Sequence, residues 1–145
     1  MELLVVLGIT AVVTASSAPW LITYWRSAGL RAGAEELVAG LNNGRQVAIA
    51  QAQPVCVEVV NNQYRYRLGG CTGAVWTGPG AGVNGFFRVS NNVGVTTNAN
   101  PVFDYLGAAA PGATMTVTNP QGGAAVAVVI SAAGRVRICP TAGCP

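Results

Sequence analysis

The chain begins with a long run of apolar residues. No charged residue lies between Glu2 and Arg26, and a helix needs about 20 apolar residues to cross the hydrocarbon core of a bilayer. The run ends in Trp20, Tyr24 and Trp25, residue types that mark the lipid boundary of membrane helices. The pattern therefore predicts a transmembrane segment over residues 1–25.

Two other interpretations of this run compete with an anchor. A secretory signal peptide begins with basic residues, whereas the charge that precedes this run is the acidic Glu2; the TASSA stretch would suit a cleavage site. A buried helix of a soluble domain would be shorter and less uniformly apolar in a chain of 145 residues. A single N-terminal anchor fits the pattern best.

A helical pattern continues beyond the anchor, over residues 26–53. Apolar residues recur there at spacings of three, four and seven, which predicts one buried helix face: Leu30, Ala34, Leu37, Leu41, Ala48 and Ala52. Glycines recur along the same stretch and would allow close helix packing: Gly29, Gly33, Gly40 and Gly44. Pro54 is expected to end the helix near Gln53.

After Pro54 the hydrophobic period changes from helical to strand-like. Asn61 and Asn62 predict a hairpin turn, after which Tyr64 and Tyr66 share one strand face while Arg65 and Arg67 share the other. Residues 73–85 are rich in glycine and are expected to form a flexible loop. Further strands are predicted over residues 86–90, 102–106, 114–118, 124–131 and 135–139. The expected fold class is α+β, with one long helix packed on an antiparallel β domain of seven or so strands, residues 54–145.

The four cysteines are Cys56, Cys71, Cys139 and Cys144. An even number outside the anchor favours disulfides if this part of the chain faces an oxidising compartment. Several pairings exist, and the two locally closed loops, Cys56 with Cys71 and Cys139 with Cys144, are favoured. A zinc site is the alternative, but the chain has no C-x-x-C pair.

The composition offers little for catalysis. The chain has no histidine, which removes the usual general base and the commonest metal ligand. The acids beyond the anchor are scattered, and the TGPGAGVNG stretch lacks the lysine of a phosphate-binding loop. We therefore expect no enzyme activity and no cofactor.

At this point the N-terminal residues show a family resemblance. ELLVVLGI followed by a long apolar helix resembles the start of type IV pilins and type II secretion pseudopilins. The resemblance implies a bacterial inner-membrane protein with a periplasmic C-terminal domain, built into a filament with other pilin or pseudopilin subunits. It also implies that Glu2 is the glutamate that registers subunits during assembly.

The start of the chain departs from the family pattern. A basic leader, a cleavage glycine and the first mature residues do not precede Glu2, and Met1 stands there instead. We expect that the reading frame was taken from an internal start codon, or that the chain was trimmed. Prepilin peptidase and methylation of the new N-terminus are then expectations for the longer chain.

The C-terminal pattern narrows the resemblance to the GspH/FimT branch of minor pseudopilins. A hydrophobic strand runs into a Gly-Arg turn in VVISAAGRVRIC, and the four residues GRVR, Gly134 to Arg137, are similar to the DNA-contacting motif of FimT-type minor pilins. The main expectation is a structural subunit of a type II secretion pseudopilus or a type IV pilus. The alternative is a DNA-binding minor pilin for DNA uptake.

Two pairs of arginines are the residues that this alternative would use. Arg135 and Arg137 project from one strand face, Arg65 and Arg67 repeat the spacing, and such pairs can bind phosphates. Solvated strand faces are the other interpretation, because charges on exposed strands also prevent edge-to-edge aggregation.

Overall fold

The computed structural model describes residues 2–122 and 125–140, with the side chains of all of these except residues 2 and 16–19. One continuous helix, α1, spans Glu2–Gln51. It contains the whole apolar run and nearly all of the predicted amphipathic continuation. The division of the chain at residues 25 and 53 stays a prediction.

The helix ends two residues before the predicted limit, in a defined turn. Ala52 has a left-handed φ of 50°, and its N–H donates to the carbonyl of Ile49 at 3.3 Å. The N–H of Gln53 reaches back to the carbonyl of Ala48 at 3.2 Å. These two bonds form a Schellman motif, which closes the last helical turn.

Nine strands follow within the described residues, in two antiparallel sheets. They are β1 Val55–Val60, β2 Gln63–Leu68, β3 Ala74–Val75, β4 Phe87–Arg88, β5 Gly94–Thr97, β6 Val102–Phe103, β7 Ala113–Thr118, β8 Val126–Ile130 and β9 Val136–Pro140. The first sheet has the order β3-β2-β1-β6, with β4 also paired to β2, and the second has the order β5-β7-β8-β9. The helix contacts strands of both sheets. The expected α+β fold class is confirmed.

The β1–β2 hairpin follows its sequence pattern closely. Val60 pairs with Gln63 across the two-residue turn, and both turn residues, Asn61 and Asn62, have positive φ. This backbone suits the right-handed twist of the flanking strands, and asparagine tolerates it better than most residues. The register places Tyr64 and Tyr66 on the buried face.

Several strand predictions were wrong in their limits. The strand expected over 102–106 stops at Phe103, because the side-chain oxygen Oδ1 of Asp104 accepts hydrogen bonds from the N–H groups of Leu106 and Ala108 and forms a turn. The strand expected over 135–139 begins at Val136. Strands β3 and β5 were missed, and the loop over 73–85 holds β3 and a 3-10 turn, Val83–Gly85.

The core lies between the C-terminal half of α1 and the inner faces of both sheets. Its largest fully buried side chains include Leu37 and Leu41 from the helix, Tyr66 and Phe103 from the first sheet, and Met115 from the second. Burying one such side chain contributes about 1.5–3 kcal/mol. One core therefore joins helix and sheets into a single unit.

Candidate functional site

The N-terminal half of α1, residues 3–25, is exposed wherever its side chains are described. Leu3 is 79% exposed and Trp25 is 68% exposed, and every described side chain between them is exposed as well. By length and composition this helix could cross a membrane. An uncharged, uncovered helix surface of this size needs partners outside the chain.

The C-terminal half of α1 is different, because one face is covered by the β domain. The buried apolar positions lie along one stripe of the helix, with the buried Gly44 between Leu41 and Val47: Leu30, Ala34, Leu37, Leu41, Val47 and Ala48. This is the spacing of one helix face. The helical periodicity of the sequence thus identified most of the face that packs on the sheets. The prediction was wrong for Ala52, which is exposed and follows the helix, and it missed the buried Val47.

Three glycines on the same face let the sheets approach the helix axis. A methyl group at Gly33 would lie 2.7 Å from Val93, and one at Gly44 would lie 2.9 Å from Tyr66. A methyl group at Gly40 would overlap the ring of Tyr64. Within the chain, these glycines therefore pack against side chains of the β domain and not against another helix.

Aromatic residues of β2 fill the space that the glycines leave. The Tyr66 hydroxyl donates a hydrogen bond to the carbonyl of Gly40 at 2.6 Å. Burial raises the pKa of Tyr66 and also that of Tyr64. The ring of Phe87 stacks on Tyr64 at a centroid distance of 5.3 Å, so these rings have little freedom to move.

On the opposite face of β2, the first arginine pair is engaged by an acid. The Nε atoms of Arg65 and Arg67 each lie 2.6 Å from the Glu58 Oε2, and Arg67 also donates to the carbonyl of Gly73. The hydrogen bond from Arg65 is the main reason that the pKa of Glu58 lies below its usual range, with burial acting against it and Arg67 assisting. The two charges are therefore already partly neutralised.

The second arginine pair is free of such partners. Arg135 and Arg137 are exposed, and neither side chain makes an ion pair within the described residues. Arg137 lies on β9, whereas Arg135 belongs to the turn before it. Because β2 and β9 belong to different sheets, the two pairs do not continue one another along a sheet.

Gly134 has a role inside the chain. Its φ is 72°, and a methyl group on it would overlap the carbonyl of Gly107. The turn is closed by hydrogen bonds between Ser131 and Arg135, including Ser131 N–H to the Arg135 carbonyl at 3.0 Å. The glycine of GRVR thus packs the turn against the loop of residues 104–108, and it fixes where Arg135 lies.

The cysteines form a disulfide across the first hairpin. Cys56 and Cys71 are bonded, with their Cα atoms 4.9 Å apart, and this is one of the two loops favoured by the sequence. Cys139 is not a free thiol. Cys144 lies outside the described residues, as does the side chain of Glu2, so the pairing of Cys139 with Cys144 and the role of Glu2 stay predictions.

The acids of the described β domain and helix continuation are each used inside the chain. Glu35 pairs with Arg31, Glu36 accepts from the N–H and hydroxyl of Ser90, and Asp104 holds its own loop. Among the described residues, no cluster of three metal-binding side chains is present. These contacts give each of the three carboxylates a structural role within the chain.

Sequence reasoning missed a contact between the helix and the loop of residues 104–108. A methyl group at Gly107 would lie 2.5 Å from Arg45 Nε, and this nitrogen is buried without a hydrogen-bond partner among the described residues. Tyr105 and Leu106 at the loop tip are exposed. The D-x-x-G spacing was the signal for this turn.

A long helix that is bare in its first half and packed on antiparallel sheets in its second half defines a pilin-like subunit. The sequence profile described as Type II transport protein GspH matches residues 33–134. This match spans well over half of the chain, and the protein therefore belongs to the GspH family. The expected family is confirmed.

Solved structures agree on the fold. The type IV minor pilin FimU of Pseudomonas aeruginosa matches with a TM-score of 0.59 at 17% identity, covering 79% of this chain and 96% of FimU. The solution structure of E. coli GspH gives a TM-score of 0.60 at 16% identity, over 78% of this chain and 89% of that one.

The minor pseudopilin EpsH from the Type 2 Secretion System of Vibrio cholerae matches with a TM-score of 0.57 at 10% identity. The match covers 76% of this chain and 95% of EpsH. No curated protein sequence matches the chain. Together the family and the fold identify a structural subunit of a pseudopilus or pilus, and they fit a membrane-anchored protein that assembles with other pilin subunits.

Proposed function

We propose that this protein is a minor subunit that residues 1–25 anchor in the bacterial inner membrane by a single pass. Residues 26–53 then carry the helix out of the bilayer, and residues 54–145 form the periplasmic β domain. The observation that supports this proposal is the bare, uncharged first half of α1. In the membrane it is covered by lipid, and in the filament by neighbouring subunits.

Glu2 is the residue that we propose to guide incorporation. A carboxylate beside an apolar helix is costly unless it finds a cationic or hydrogen-bonding partner. A neighbouring subunit's N-terminus would supply that partner in a filament. In a longer chain, prepilin peptidase would create this N-terminus by removing a leader. The role of the protein is then structural and not catalytic.

Replacing Glu2 by Gln tests this proposal. The chain would be produced together with the assembly machinery, and the amount in sheared filaments would be compared with the amount left in the membrane. We expect E2Q to stay in the membrane and to be absent from filaments. Glu35, an exposed acid of the same helix, provides the matched control E35Q, which should assemble normally. Equal incorporation of E2Q and the unmodified chain would refute the proposal.

A second candidate function is DNA binding through the exposed pair Arg135 and Arg137. The observation that favours it is their freedom from ion pairs within the described residues, in contrast to Arg65 and Arg67, which share Glu58. Arginine pairs that neutralise phosphates release counterions, so binding weakens as salt increases. Of these four arginines, we propose Arg135 and Arg137 as the phosphate contacts.

Binding of the full chain in neutral detergent to duplex DNA, measured at several salt concentrations, tests this candidate. Replacing both Arg135 and Arg137 by Ala should weaken binding and reduce the salt slope by about two. The matched double variant R65A/R67A should change the slope much less. No binding, or the same slope in both double variants, would exclude a specific role for the GRVR arginines.

A further inference from the structure

A pocket lies where α1 leaves the uncharged run and meets the β domain. Its volume is about 290 Å³. The helix and two loops line it: Ile22, Trp25, Arg26 and Gly29 from α1, and Asn91, Asn92, Asn119 and Gln121 from the loops. We refer to it as the junction pocket.

The loops of the junction pocket are held in place by defined contacts. The carboxylate of Glu36 accepts hydrogen bonds from Ser90, whose backbone nitrogen lies 2.8 Å from Glu36 Oε2. This contact fixes the turn that carries Asn91. Gly29 lies beside this turn, where a methyl group would make an ordinary van der Waals contact with Asn91 Cβ at 3.9 Å. The pocket wall is therefore built by the fold and does not depend on a ligand.

The second loop is ordered by its own asparagine. The Oδ1 atom of Asn119 accepts a hydrogen bond from the Gln121 N–H at 2.9 Å, and the Gly122 N–H donates to the Asn119 carbonyl. With these acceptors occupied, the amide nitrogen of Asn119 remains as a donor. The same loop therefore contributes hydrogen-bond donors to the pocket.

The lining chemistry selects for an anion. Arg26 supplies a permanent positive charge with five N–H donors, four amide side chains supply further donors, and no lining residue is acidic. The nearby acids are engaged elsewhere, Glu35 with Arg31 and Glu36 with Ser90. A phosphate group, which offers acceptors and negative charge, complements this set.

The position of the pocket selects for an amphiphile. Ile22 and Trp25 form its wall on the side of the uncharged run, and they are 51% and 68% exposed. Arg26 and the amides form the wall on the side of the β domain. The apolar wall therefore lies where the acyl chains of a bilayer leaflet would be, and the cationic wall lies where the headgroups would be.

We propose that the junction pocket binds the phosphate of an anionic phospholipid, with Arg26 as the charge partner, Asn119 and Gln121 as amide donors, and Trp25 against the glycerol and upper acyl region. The lipid would seat the β domain on the membrane surface. This inference rests on the membrane anchoring proposed above.

Native mass spectrometry of the full chain in neutral detergent micelles tests the lipid site. Phosphatidylglycerol would be titrated against zwitterionic phosphatidylcholine. We expect phosphatidylglycerol to be preferred, and R26Q to weaken its binding by roughly tenfold, because a charge-assisted hydrogen bond is lost. The matched control is R31Q, which removes the same charge further along the helix, outside the pocket.

A double variant that leaves the net charge unchanged distinguishes a specific lipid site from general electrostatic attraction of anionic lipid to the protein. Replacing Asn119 and Gln121 by Ala should weaken phosphatidylglycerol binding while leaving phosphatidylcholine binding unchanged. Equal losses in R26Q and R31Q, or no effect of the amide variant, would overturn the proposal. Displacement of the lipid by millimolar inorganic phosphate would also overturn it, since the site would then recognise a free anion.

Flotation with phosphatidylglycerol-containing vesicles distinguishes the failure of this inference from the failure of the anchor. A chain that does not float with the vesicles contradicts the proposed anchoring itself. A chain that floats normally but shows no preference for phosphatidylglycerol in the titration contradicts the lipid site alone. Circular dichroism of each variant confirms that the helix and sheets are retained.

Discussion

The two halves of α1 belong to one helix, yet their glycines are in opposite situations. A methyl group added at Gly8 would meet nothing within 4 Å, whereas Gly33, Gly40 and Gly44 face side chains of the β domain that a methyl group would touch. A glycine inside a helix costs about 1 kcal/mol relative to alanine. In the C-terminal half this cost is offset by closer packing of the core.

The difference shows which half completes its packing within one chain. One face of the C-terminal half is buried against both sheets and has a fixed set of neighbours. The N-terminal half exposes Leu3, Val12 and Trp20, and the neighbours that we propose for it are lipids and other subunits. Substitutions in the two halves should therefore affect different properties: stability of the domain in one, and insertion or assembly in the other.

The largest effect is expected from Gly40→Ala. The added methyl group overlaps the buried Tyr64 ring, which Phe87 prevents from moving aside. Overpacking costs about 1–3 kcal/mol, and the higher helix propensity of alanine offsets only part of this cost. The free energy of unfolding should fall by about 1–2 kcal/mol, measured by thermal or denaturant unfolding of the full chain in detergent.

Gly8→Ala is the matched control for this substitution. It makes the same chemical change in the same helix, at a position with open space around it. Domain stability should be unchanged. If Gly8→Ala destabilised the domain as much as Gly40→Ala, the two halves would not be independent in the way the contacts indicate.

A smaller effect is expected from Tyr66→Phe. The substitution keeps the ring but removes the buried hydrogen bond to the Gly40 carbonyl. A hydrogen bond of this kind contributes about 1 kcal/mol net. Unfolding of the variant should require correspondingly less denaturant. A variant as stable as the original chain would show that this bond does not help to hold the helix on the sheet.

The same tyrosine predicts a pH dependence. Burial raises the pKa of Tyr66 above its usual value of 10, so the unfolded chain releases this proton at a lower pH than the folded chain does. Its contribution to stability is complete below about pH 10 and is lost as pH rises beyond that value. Stability measured from pH 8 to about pH 11 should fall less steeply in Tyr66→Phe, with the remaining slope due in part to Tyr64.

Much of this organisation could be predicted from the sequence because it depends on local patterns. The spacing of Leu30, Leu37 and Leu41 specified the buried helix face. The alternation around Tyr64 and Tyr66 specified the faces of β2. Such patterns follow from the geometry of helix and strand alone.

Features that depend on distant parts of the chain could not be predicted in this way. Arg65 and Arg135 begin identical R-x-R patterns, but among the described residues only the first meets a carboxylate, because the hairpin register brings Glu58 opposite Arg65. The contact of Gly134 with Gly107 joins segments far apart in sequence. Short strands such as β5 arise from pairing with β7 and have no strong pattern of their own.

The smallest expected effect is a gain, from Ala52→Gly at the end of α1. Ala52 holds a left-handed φ of 50°, which costs a residue with a Cβ about 1 kcal/mol and costs glycine almost nothing. The free energy of unfolding should rise by about 0.5–1 kcal/mol in full-chain denaturation. Because the change lies at the C-terminal end of the packed half, insertion of the N-terminal half into vesicles should be unaltered. A change in vesicle insertion without a gain in stability would mean that the C-terminal end of the helix affects its exposed N-terminal half. The two halves would then not be independent.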